Sequence, residues 1–127
     1  MPDIELELIG WLQARLGSEV VVRDETDNNL QNELPTVQVE GVGGDDDGIR
    51  LDRFLVDLNV FAATRADALT LAGQIKALLL HQLRGSATVT AVFGRVRTVS
   101  LPAARPYENT ALRRVGATYE IFCHPVS

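Results

Sequence analysis

The sequence predicts an α+β domain: a mixed, mainly antiparallel sheet with two helices packed on one face, in the order α-β-β-β-α-β-β-β. Three observations predict it. Two segments carry apolar residues at helical spacing, near the start and the middle of the chain. Between and after them lie runs rich in β-branched residues, several strictly alternating. Those runs follow one another with only turns between, which favours hairpins over β-α-β crossovers. With 127 residues there is room for one core, so residues 1–127 are read as a single domain.

The first helix spans about residues 3–16, with Asp3 as N-cap and Gly17 as stop. Ile4, Leu8, Trp11, Leu12 and Leu16 share a face, and Glu5 and Glu7 sit in the first turn, where the helix dipole favours acids. Leu6 falls off that face, as a stray surface leucine or as part of a contact with another chain. Val20-Val21-Val22 is a short strand, because three β-branched residues in a row disfavour a helix. After the polar stretch 24–34, Pro35 opens a second strand, Thr36 to Glu40, with Val37 and Val39 on one face. GVGGDDDG, residues 41–48, is expected to be a turn-rich loop.

The longest strand covers about 49–62, its even positions from Phe54 to Ala62 facing the core and its odd positions mixed. Thr64 caps the second helix, about 65–83, which ends at Gly85. Ala68, Leu71, Ala72, Ile75, Leu79 and Leu83 form its main stripe. A second stripe of Ala66, Leu69, Gly73, Ala77 and Leu80 is expected to pack on the first helix or against another subunit. Thr88–Phe93 and Arg95–Leu101 are read as two strands divided by Gly94, and LPAARPYENT as a loop. The last strand, about 112–123, alternates Val115, Ala117, Tyr119, Ile121 and Cys123 against polar positions, and Pro125 stops it.

Charge is uneven. Residues 1–64 hold 14 acids and 4 bases, residues 65–127 hold 3 acids and 8 bases, and the whole chain carries −5. That total argues against a free-standing nucleic-acid binder. A dipolar chain suits head-to-tail contact between copies, while chance spread over a solvated surface is the plainer account. The candidate contact residues are Asp24 and Asp27 in the polar loop, Asp45, Asp46 and Asp47 in the acidic loop, and Arg95, Arg97, Arg105, Arg113 and Arg114. The arginines form a strip for an acidic neighbour or simply solubilise the surface.

No catalytic constellation is visible, and neither a metal nor a cofactor is expected. Cys123 and His124 are neighbours in a strand and so point to opposite faces, which denies them a nucleophile–base pairing. His81 lies away from its helix's main stripe. GVGG lacks the spacing of a phosphate-binding loop, and the three consecutive aspartates lack the alternating ligands and distal acid of a calcium loop. One cysteine permits no internal disulfide, and the apolar runs fall far short of the ~18–20 residues of a membrane span.

The layout resembles the tail terminator, or tail completion, proteins of long-tailed bacteriophages. The likeness rests on an amphipathic helix ending at Leu16-Gly17 and the valine strand EVVVR. It continues through P-x-V-x-V (Pro35, Val37, Val39), the G-x-G-G turn at Gly41, Gly43 and Gly44, and RFLVDLNVFAATR running directly into ADALTLAGQIKALLL. A β-rich end closing with ALRRVGATYEIFCH completes it.

The resemblance implies a structural virion protein rather than an enzyme. Such a protein forms a hexameric ring at the head-proximal end of the tail, caps the tube, stops its polymerisation and offers the surface that joins the head. Its implied partners are copies of itself, the tail tube protein and a head-completion or connector protein. DNA would pass the lumen without specific binding, no membrane is involved, and Asp45, Asp46 and Asp47 are candidates for an acidic, phosphate-repelling lining. The alternatives are another head–tail joining protein, such as a head-closure component, and a small bacterial adaptor that binds a peptide or ligand.

Overall fold

The computed structural model describes residues 4–25, 34–46, 52–88, 91–105 and 112–125. Helix α1, Ile4–Leu16, buries Ile4, Leu8, Trp11 and Leu12. Gly17, at a φ of +86° that side chains disfavour, closes it by donating to the Gln13 carbonyl at 3.2 Å. Asp3 lies outside the described residues. Strand β1, Val21–Arg23, is held to α1 by Gln13. Its Nε2 donates to the Gly17 and Val20 carbonyls at 2.8 Å each, and its Oε1 accepts from the Val22 amide at 3.1 Å.

Strand β2 runs Thr36–Asp46 and β3 Asp52–Ala62. The expected loop at 41–48 is therefore strand as far as Asp46, with a register shift between Gly41 and Gly43 that pairs Gly44 with Phe54 and Asp45 with Arg53. Glycine is what permits this. At Gly44 a Cβ would stand 2.0 Å from the Arg53 carbonyl oxygen, and φ is +152°. The run looks like a turn and serves as a bulge.

Helix α2, Arg65–Leu78, begins at Thr64, whose hydroxyl accepts from the Asp67 amide at 3.1 Å. It continues as one π-helical turn, Leu79–Leu83, before Gly85. All six residues of the main stripe are buried.

Strand β4, Ala91–Arg105, passes straight through Gly94 and on to 105, where two strands and a loop were expected. Three register shifts against β5, Arg113–Pro125, absorb the extra residues. So two strands rather than three follow α2. The sheet order is β1-β2-β3-β5-β4, with β1 and β2 parallel and every other pair antiparallel.

Alternation divides the sheet into two faces. Val37, Val39, Val56, Leu58, Val60, Val115, Ala117, Tyr119 and Ile121 join both helices in one apolar core. Helix α1 lies over β1 and β2, and α2 over β3, β5 and β4. The second stripe of α2 makes no helix–helix seam, because Ala66, Gly73 and Ala77 are exposed and Leu69 and Leu80 only half-buried. Each helix instead takes its own part of the sheet, and an open groove of about 500 Å³ lined by Arg15, Leu16, Gln74, Ala77 and His81 runs between them.

Candidate functional site

The sheet face without helices carries the chain's polar chemistry. Its centre is Glu120 on β5, 6% exposed. Arg53 on β3 donates to its Oε2 at 2.8 Å, and Arg97 on β4 donates to Oε1 at 3.1 Å and Oε2 at 3.4 Å. The hydrogen bonds from Arg53 and then Arg97 hold the Glu120 carboxyl below the usual range, outweighing the opposing effect of burial. One carboxylate thereby bridges three strands, β3, β5 and β4.

Further along β3, beyond Asp57, Asn59 is wholly buried. Its Oδ1 accepts from Arg105 and from Arg114, each at 3.2 Å, and its Nδ2 donates to Gln38 at 3.2 Å. Arg105 also stands 3.7 Å from Asp57, whose carboxylate accepts from the Thr118 hydroxyl. Gly116 makes this possible, since a Cβ there would come within 2.5 Å of the Arg105 guanidinium. The network ties β2, β3, β5 and β4 together on this face. Buried polar groups are paired, so desolvation is offset.

The predicted contact residues separate in consequence. Arg97, Arg105 and Arg114 are committed inside the chain, Arg97 with its side chain still 54% exposed. Arg95 is exposed beside the buried Val96, and exposed Arg113 donates to the Leu112 carbonyl. Asp24 is exposed just past β1, where its carbonyl accepts from Gln38 at 3.5 Å. Asp45 and Asp46 are β2 residues opposite Arg53 and Asp52. Asp27 and Asp47 lie outside the described residues. Sequence reading missed Glu120, Asn59 and Asp57. The available signal was a set of polar residues alternating with the apolar ones, at odd positions of β3 and at even positions of β5.

Cys123 is completely buried in the apolar core, and burial, with Asp52 adding, pushes its thiol up to about 11. A thiol so protonated is a poor nucleophile at neutral pH. Tyr119 is buried likewise and its hydroxyl pushed up to about 12. Among the described residues, no group of three or more His, Cys, Asp or Glu could hold a metal, and no helix is long and apolar enough to cross a membrane.

The two sheet edges complete the surface. Among the described residues, four large apolar side chains are exposed, Leu6, Val42, Val99 and Leu101. Val99 and Leu101 are on the edge strand β4, while Leu6 on α1 and Val42 on β2 are on the opposite side of the sheet, next to the edge strand β1. No protein-family model matches the chain, and no curated protein matches it.

Proposed function

We propose that this chain is a structural assembly protein of the phage tail-terminator kind. Copies of it form a ring, hexameric by the resemblance, that caps a tail tube, ends tube growth and presents a surface for the head-completion or connector protein. It works in the virion at the head-proximal end of the tail, and it catalyses nothing. The observation that carries this reading is the succession of elements. A valine strand, a P-x-V-x-V strand with a glycine bulge and a long strand lead directly into an alanine- and leucine-rich helix and a strand-rich end.

The physical properties of the chain support the reading. Docking requires a stiff body that keeps its surfaces in fixed relation. Here the central strands are tied on one face by the core and on the other by the Glu120 and Asn59 networks. Two exposed apolar pairs and an uneven charge distribution supply contact surfaces.

Tube assembly tests it. Tail tube protein is polymerised with and without the purified chain, and tube lengths are measured by negative-stain microscopy. Addition of the chain is expected to shorten the tubes and leave a ring of density at one end. Unchanged lengths with bare ends would overturn the reading.

A further inference from the structure

We infer that one copy docks onto the next through opposite edges of the sheet, with the outer edge of β4 meeting the outer edge of β2 and the first turn of α1. The proposal deepens the ring reading above, and rests on it for the closure of successive contacts into a ring.

Two stretches of backbone lack a neighbouring strand among the described residues. β4 ends the sheet on one side. Its first residues are covered, because Phe93 bonds to Ser86 and Gly85, Thr88 bonds to Ala91, and Ala87 bridges to Val92. From Val96 onward its outer side has no neighbouring strand. On the other side, among the described residues, β1 pairs with β2 only over Thr36–Gln38, so no strand flanks β2 from Val39 to Asp46, where Glu5 of α1 takes the Gly41 amide. Open edges of this length invite pairing with another chain.

Each open edge carries one exposed apolar pair. Val99 is 50% and Leu101 62% exposed on β4, against 45% for Val42 on β2 and 66% for Leu6 on α1. The latter two belong to one surface, since the Gly41 amide donates to Glu5 Oε1 at 2.6 Å, joining the chain neighbours of Leu6 and Val42.

Charge identifies the occupant. β4 contains no acid and carries exposed Arg95 and Arg97, the latter with Glu120 as its partner, whereas β2 contains no base and carries exposed Glu40. The first turn of α1 adds Glu5 and Glu7. An arginine-bearing apolar edge and an acid-bearing apolar edge complement each other and repel their own kind. The contact is therefore between unlike surfaces of identical chains, which repeats head to tail and closes into a ring when the rotation permits. Pro102 and the register shifts of β4 limit regular ladder pairing, so side chains carry much of the contact.

Cysteine cross-linking tests this. Leu101→Cys and Leu6→Cys are made separately and treated with a short bis-maleimide, alone and mixed. Both positions are exposed, so folding is preserved, and native Cys123 is buried, so the unaltered chain gives the background. The expected result is that the mixture yields covalent dimers roughly tenfold faster than either variant alone, with the excess lost at high salt. Coupling of Leu101→Cys with itself at the rate of the mixture would overturn the proposal in favour of a two-fold contact, and coupling at the background rate throughout would overturn it outright. Coupling in the mixture without tube capping leaves the edge contact standing and removes the capping function. Capping without coupling does the reverse.

Discussion

The same strands present two unlike faces, and the contrast explains how the molecule is organised. Beneath the helices, β2, β3 and β5 contribute valine, leucine, isoleucine and tyrosine to the apolar core. On the reverse side, alternate residues of those strands and of β4 contribute Gln38, Asp57, Asn59, Arg97, Arg114 and Glu120 to paired polar networks. The covered face supplies stability through apolar area and close packing. The open face supplies registry, because hydrogen bonds of fixed geometry between β3, β5 and β4 are satisfied in one alignment only. The central strands are thus tied on both faces without a second layer of helices among the described residues.

Breaking the covered face should have the largest effect. Leu12→Ala removes a fully buried side chain between α1 and the sheet and should cost about 3–4 kcal/mol, measured by urea unfolding. Breaking the open face should cost less. Asn59→Ala leaves Arg105, Arg114 and Gln38 without their shared partner, and a loss of about 2 kcal/mol is expected in the same assay.

Glu120→Gln should cost about 1–2 kcal/mol at pH 7, since Arg53 and Arg97 are exposed enough to turn to water. It also has a pH signature. The folded carboxyl sits below its ordinary value, so its stabilisation is present above the unfolded value of about 4.5 and is lost as pH falls through the folded one. The variant's deficit should therefore shrink on acidification, as followed by unfolding at a series of pH values.

The smallest effect is expected inside the core. The Tyr119 hydroxyl is buried with no hydrogen-bond partner among the described residues, so Tyr119→Phe should change stability at pH 7 by less than about 1 kcal/mol, in the stabilising direction. Its hydroxyl titrates at about 12 in the fold against 10.0 unfolded. Stability contributed by the neutral phenol is thus full below pH 10 and lost between 10 and about 12, and the phenylalanine variant should lack that alkaline decline.

The two faces also differed in how far they could be read from sequence. The covered face was legible, because helix and strand periodicity act locally. Ile4, Leu8, Trp11 and Leu12, the six-residue stripe of α2 and the even positions Val56 to Ala62 are buried as expected. The Thr64 cap and the Gly17 stop were legible for the same reason. The open face was not. Arg53 meets Glu120 across 67 positions and Arg114 meets Asn59 across 55, and only strand pairing brings them together. Two glycine-containing segments misled in the other direction. Gly41–Asp46 and Gly94 resemble turns locally, yet their partner strands β3 and β5 continue past them, and the ladder carries β2 and β4 onward as bulged strand.

We propose that this chain acts by docking onto copies of itself at the end of a tube. Single-particle imaging of tail tube ends incubated with the purified chain tests it most directly. A closed ring of several copies seated on one end of the tube is the predicted image. Tube ends carrying no added density, with the chain left free at 13.9 kDa in the supernatant, would contradict it.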